Sequence, residues 1–200
     1  MSVHRSGGNA GEQIDGAAYE LFSRLGVHAV GVDMLIARAG VAKRTLYRYY
    51  PSKNDVVLAF LRRREAIWTR AWLKGGVERA AAEPALRLLA IFDMFDEWFH
   101  RRDFEACAFI RVLLEHANRE NPLRKASKRH IDTVRSFIRG LAAEARVPDP
   151  EEFARQWHIL MMGSIIAAYA GDPDAARRAK AVGALLLARN NVASGNGVGA

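Results

Sequence analysis

Apolar residues recur at three- and four-residue intervals along almost the whole chain, and nowhere do they alternate convincingly as a half-buried strand requires. That period turns one face of a helix inward on every turn, so it points to an all-α fold. Ala17, Ala18, Leu21, Phe22 and Leu25 form the first stripe, and Gly26 stops it. Val32 to Ala39 makes two turns ended by Gly40, and Lys43 to Tyr50 makes a third short helix broken by Pro51. Ser52 and Asp55 have capping-box spacing and open a helix expected to run through Phe60, Ile67 and Trp68 to the Gly75-Gly76 pair. Helices follow at about 84–101 and 104–118. Asn121-Pro122, Asp149-Pro150 and Asp172-Pro173 then each place a capping side chain before a proline at the first helical position, where its missing N–H costs nothing. About nine helices result, with Gly75 to Glu83 as the expected seam between a small N-terminal unit and a larger helical one.

Half the residues are apolar and 26% are charged, a globular balance. The net charge of +8 and the isoelectric point near 10.1 favour an acidic partner, either nucleic acid or an anionic membrane surface. The longest nearly apolar run, 159–170, is too short to span a bilayer, so no membrane partner is expected. Cys107 is the single cysteine, which excludes an intrachain disulfide. With no apolar leader at the start, a cytoplasmic protein is expected. Residues 1–10 and 191–200 are Gly- and Asn-rich and are expected to be flexible.

Two short helices joined at a glycine, the second of them basic, follow the helix-turn-helix plan, in which the second helix enters the DNA major groove. At 100° per residue, Leu46 and Tyr50 share the inward side with Val41 and Leu35, while Arg44, Thr45 and Arg48 face outward. Tyr47 and Tyr49 project from the flanks. A guanidinium can bind guanine O6 and N7 with two hydrogen bonds, so Arg44 and Arg48 are the expected base readers, with Lys43 as a third. Thr45, Tyr47, Tyr49 and Lys53 are expected to hold phosphates; Lys53 also sits in the first turn of the next helix. A solvated basic face is the plainer explanation. Against it, residues 38–54 hold five basic residues and no acid, on a helix too short to stand alone.

GVDMLIARAGVAKRTLYRYYPSKNDVVLAFL, residues 31–61, resembles the DNA-binding signature of TetR-type transcriptional regulators, and the helix from Glu12 to Gly26 extends the likeness. The resemblance implies three helices in an N-terminal DNA-binding unit and six in a ligand-binding and dimerisation core. It also implies a homodimer on a palindromic double-stranded operator, released when a small-molecule effector enters the core. The domains are accordingly read as 11–52 for the helix-turn-helix, 53–76 for a connecting helix and 77–190 for the regulatory and dimerisation domain. The chain departs from the pattern where Val30, Gly31 and Ala42 replace the usual hydroxyl residues, which removes helix caps. Tyr50 replaces a usual Phe, so its hydroxyl needs a partner if it is buried.

Residues 157–170 are apolar nearly all round, which is more than one core requires. With 181–187 they are expected to form a bundle across a twofold axis, as the resemblance implies. The aromatic stripe within 88–116 is first of all core material. In a TetR-type core the same walls surround an apolar pocket, which makes Phe95, Phe99, Cys107, Ile110, Trp157 and Met161 the ligand-binding candidates. The scattered His100, His116, His130 and His158 lack ligand spacing, so no metal is expected. GNGVG near the C-terminus follows no strand, so it is not a nucleotide loop. No nucleophile–base pair is visible, and neither catalysis nor a cofactor is expected. Two alternatives stand beside the regulator: a nonspecific DNA-binding protein, and an all-helical small-molecule binder without a regulatory role.

Overall fold

The computed structural model describes residues 9–190. Its helices, in chain order, are α1 (Ala10–Leu25), α2 (Val32–Ala39), α3 (Lys43–Tyr49), α4 (Lys53–Arg64), a π-helix (Glu65–Lys74), α5 (Gly75–Ala80), α6 (Pro84–Phe99), α7 (Ala108–Glu115), α8 (Pro122–Glu144), α9 (Pro150–Tyr169) and α10 (Ala175–Arg189). There is no strand among the described residues. With the unbroken run from Lys53 to Ala80 taken as one, these make nine helices, as the spacing requires. None of the described helices is long and apolar enough to cross a membrane. The flexible ends expected from composition fall outside the described residues, apart from Asn9, which caps α1, and Ala10, which opens it.

The chain divides into two compact units. One extends to Arg64 and also takes in Ala108–Lys128. There α1 packs against α2, α3 and α4. Its apolar stripe, Ile14, Ala17, Ala18 and Phe22, is buried, as are Leu35, Leu46, Val56, Val57, Phe60 and Leu61. The Phe22 and Phe60 rings meet edge to face at 5.4 Å. Each large side chain buried in this way contributes about 1.5 to 3 kcal/mol. Arg64 is buried too, and its guanidinium donates to the Tyr19 hydroxyl at 3.1 Å and to Ser23 Oγ at 3.4 Å. Those bonds offset the cost of desolvating its charge.

The other unit comprises Glu65–Cys107 and the chain from Arg129 onward. Here α6, α9 and α10 pack on one another. Leu88, Ile91, Phe92, Phe95, Trp157, Met161 and Leu187 are among its buried residues.

Three expected boundaries are corrected. The helix that begins at Lys53 does not stop at Gly75-Gly76 but continues to Ala80, because Val77 is fully buried and a Cβ at Gly76 would collide with the Met94 side chain. Tertiary packing here outweighs the roughly 1 kcal/mol helix penalty of each glycine. The 104–118 helix is shorter, Ala108–Glu115, because Ala106 takes a left-handed φ of 61°. Asp172 does not cap the last helix. It accepts from Asp174 N at 3.0 Å in a turn, and α10 begins at Ala175. Asn121 and Asp149 do cap: Asn121 Oδ1 accepts from Leu123 N at 2.8 Å, and Asp149 Oδ1 accepts from Glu152 N at 3.0 Å.

Candidate nucleic-acid interface

The short segment between Val32 and Lys53 is shaped by its own sequence. Gly40 ends α2 in the left-handed region, at φ 67°, where a glycine avoids the Cβ clash. Its N–H donates to Ile36 O at 2.9 Å, and the chain turns through Val41 and Ala42 into α3. Neither Gly31 before α2 nor Ala42 before α3 supplies a side-chain cap, as the missing hydroxyls predict. Ser52 and Asp55 close the capping box at the start of α4: Ser52 N and Oγ donate to Asp55 Oδ2 at 2.9 and 2.7 Å, and Asp55 N donates to Ser52 Oγ at 3.3 Å.

Within α3 only Leu46 is buried. Lys43, Arg44, Tyr47 and Arg48 are exposed and fall at three- and four-residue spacing, so two guanidinium groups, an ammonium and a phenol share the outward surface. Thr45 and Lys53 are half-buried. Lys43 Nζ stands 3.9 Å from Asp33 Oδ1, both side chains well exposed, so solvent screens the pair and leaves the ammonium available. The Arg48 guanidinium lies 5.3 Å from the centre of the Tyr49 ring. Tyr49 is turned toward α1, and its hydroxyl donates to Asn9 Oδ1 at 2.7 Å.

Tyr50 is half-buried, and the partner its hydroxyl needs is Asp15 Oδ1. Burial, then the hydrogen bond to Asp15 and its negative charge, push the phenol up to about 12, with Arg62 opposing in part. Nothing in the local spacing marks Asn9 or Asp15 as partners, because 40 and 35 residues separate them from the tyrosines they hold.

Of the ligand-binding candidates, Phe95, Trp157 and Met161 are buried, while Phe99 and Cys107 are half-buried. Phe99 meets Phe95 at 5.5 Å, Phe95 meets Phe92 at 6.3 Å, and Phe92 meets Trp157 at 5.3 Å. Three of the candidates therefore join one aromatic chain. Ile110, on α7, belongs to the other compact unit. Sequence reasoning did not single out Trp68 and Trp72 on the π-helix: Trp68 lies 4.6 Å from Trp98, and Trp72 stacks on Phe95 at 6.2 Å. Their four-residue spacing was the available signal. His130 and His158 are both buried. Desolvation is the main reason each is pushed down to about 4; the charge of His158 lowers His130 further, and that of Arg135 lowers His158 against an opposing Asp132.

Residues 15–60 match the family described as bacterial regulatory proteins of the tetR family, and residues 84–182 match a tetracyclin repressor-like C-terminal domain. The HTH-type transcriptional activator FasR of Mycolicibacterium smegmatis is 47% identical over 47 residues, 24% of this chain and 22% of FasR. The match thus spans about a fifth of the length of the curated relatives. A tetr-type transcriptional regulator from Streptomyces avermitilis superposes with a TM-score of 0.82 at 24% identity, over 93% of this chain and 100% of the other. A TetR-family regulator from Streptomyces coelicolor gives 0.80 at 23%, over 90% and 95%. At these identities the two structures establish a shared fold.

Proposed function

Because the chain belongs to the TetR family of transcriptional regulators, with a DNA-binding helix-turn-helix at its N-terminal end, we propose that it acts as a cytoplasmic homodimeric repressor. Each copy sets α3 into one half of a palindromic operator, and a small-molecule effector entering the regulatory domain releases it. Residues 11–52 form the DNA-binding domain, the helical run from Lys53 to Ala80 connects it, and the chain beyond, to 190, serves regulation and dimerisation. Arg44 and Arg48 read bases together with Lys43. Thr45, Tyr47 and Lys53 position the protein on phosphates, whereas the Tyr49 hydroxyl, expected from the sequence to do the same, is already committed as a donor to Asn9. The observation that carries this reading is the exposure of Lys43, Arg44, Tyr47 and Arg48 on a helix whose one buried residue, Leu46, anchors it.

Dimerisation through α9 and α10 is supported by large apolar side chains left in solvent: Ile159, Ile166 and Tyr169 on α9, Val182 and Leu185 on α10, with Leu185 70% exposed. The effector site uses the aromatic chain of Phe95, Phe99 and Trp157, with Met161 and Cys107 as further lining. Apolar walls of this kind suit an uncharged, hydrophobic small molecule.

Selection of bound duplexes from a random pool tests the proposal. An inverted repeat whose half-sites are spaced to match one face of the double helix is the expected product, preferred over random DNA by roughly a thousandfold or more at physiological salt. A preference below about tenfold overturns it and leaves a nonspecific DNA-binding protein. FasR, which matches over 47 residues, is named an activator, so activation is the second reading. A reporter driven by the selected duplex separates the two: expression falls on adding the protein under the first and rises under the second.

A further inference from the structure

A seven-residue helix with one fully buried side chain and no side-chain cap has little of its own to fix its roll about its axis. Two further ties are present, both to the first turns of α1. The Tyr49 hydroxyl donates to Asn9 Oδ1, the same oxygen that caps α1 by accepting from Gly11 N at 3.2 Å. The Tyr49 ring lies over Gly11, its edge 3.1 Å from where a Cβ would stand. The neighbouring Tyr50 hydroxyl donates to Asp15 Oδ1. Tyr49 closes α3 and Tyr50 is its extended C-cap, and the residues that hold them stand six apart at the start of α1, so the two ties fix the end of α3 at separate points and oppose rolling more than either would alone. With Leu46 they make three points of attachment. Tyr49 is also the ring beside which the Arg48 guanidinium rests.

We infer that Asn9 and Asp15 are positioning residues for DNA reading: through Tyr49 and Tyr50 they lock the roll angle of α3, and with it the direction of Arg44 and Arg48. Neither residue needs to touch DNA. The Tyr50 phenol, pushed up to about 12, stays protonated at neutral pH and so remains a donor to Asp15. An unlocked α3 still meets phosphates, because a point charge on a flexible stem tolerates a change of angle. A two-bond contact to a base edge does not. The inference therefore concerns selectivity more than total affinity, and it rests on the DNA-reading role proposed above.

The experiment compares the full-length wild type with Tyr49→Phe, Tyr50→Phe and the double variant on two duplexes, the selected operator and a random sequence. Loss of both hydroxyls is expected to cut operator affinity about tenfold while random-duplex affinity changes less than about twofold, with the salt slope unchanged. Two further pairs stand in if the double variant folds poorly. Asn9→Ser keeps an oxygen to cap α1 but is too short to reach Tyr49, and it should reproduce the Tyr49→Phe loss. Asp15→Asn and Asp15→Ala remove the same charge, but only the first keeps an acceptor for Tyr50, so operator selectivity should survive in the first and fall in the second. A shift in thermal midpoint with an unchanged operator-to-random ratio across these variants overturns the inference while leaving the DNA-reading role intact. A wild type that prefers no duplex overturns both.

Discussion

Arg48 and Lys53 carry the same charge and should nonetheless fail differently when removed. A guanidinium aimed at a base edge makes two directional bonds, so Arg48→Ala should cost about 1 to 3 kcal/mol per half-site on the operator and relax the preference at one base pair. Lys53 opens α4 behind the Ser52–Asp55 box. In its proposed role Lys53 holds a phosphate as a point charge, so Lys53→Ala should weaken all duplexes alike and lower the salt slope by about one per subunit. Titrations of operator and random duplex at several salt concentrations check both, and an equal loss on every sequence for Arg48→Ala would refute its base-reading role. His130 and His158 make a second residue-scale case. Their folded values near 4 lie below the ordinary 6.5, so the unfolded chain takes up protons that the folded chain does not. The stability they contribute is full above pH 6.5 and is lost as pH falls through 4. Near the middle of that window each should steepen the loss by about 1.4 kcal/mol per pH unit. Urea midpoints between pH 7 and 4.5 should therefore fall more steeply for the wild type than for the double variant His130→Gln, His158→Gln.

At the scale of the element, caps decide where helices begin, and an aspartate before a proline is not always a cap. Asp149 binds Glu152 N, three residues into α9, and Asp149→Ala should cost about 1 kcal/mol in chemical unfolding. Asp172 instead closes a turn onto Asp174 N and pairs with Arg178, ahead of a helix that begins at Ala175. Its carboxyl is half-buried and held below the usual aspartate range, first by the Arg178 hydrogen bond. Asp172→Ala should accordingly cost less than Asp149→Ala, and a larger loss would show that the turn matters more to α10 than the cap does to α9. The helix-turn-helix boundaries were legible because glycine, proline and the capping box act within four residues. The late start of α7 was not, since it follows from a left-handed Ala106 that no residue type advertises.

The whole molecule is where the exposed faces of α9 and α10 acquire a purpose. Ile159 is 64% exposed, Tyr169 60% and Leu185 70%, too much large apolar surface on two successive helices to be left against water. In the proposed dimer a twofold partner covers this face with its own copy. Placing a charge there, as in Leu185→Asp, should convert the protein to a monomer at micromolar concentration by sedimentation and reduce its affinity for the full palindrome toward that for a half-site. A variant that sediments as the wild type does would remove these helices from the interface. The surplus of apolar residues at 157–170 was visible in the sequence, but which of them are inward was not: Trp157, Met161 and Ile165 are buried, while Ile159 and Ile166 are exposed. Both sets have helical spacing, so periodicity alone could not separate them.

The sequence by itself determined the all-α class, the helix-turn-helix and the cationic outer surface of α3. Helical period, left-handed glycines and caps are short-range effects that each stretch carries with it. Only the tertiary structure decided what holds α3 at its angle and what carries the helix past Gly75-Gly76. Those outcomes depend on Asn9 and Asp15 reaching tyrosines 40 and 35 residues away, and on Met94 filling the space a side chain at Gly76 would take. Contacts between residues so far apart in the chain exist only once the backbone has been folded to bring them together.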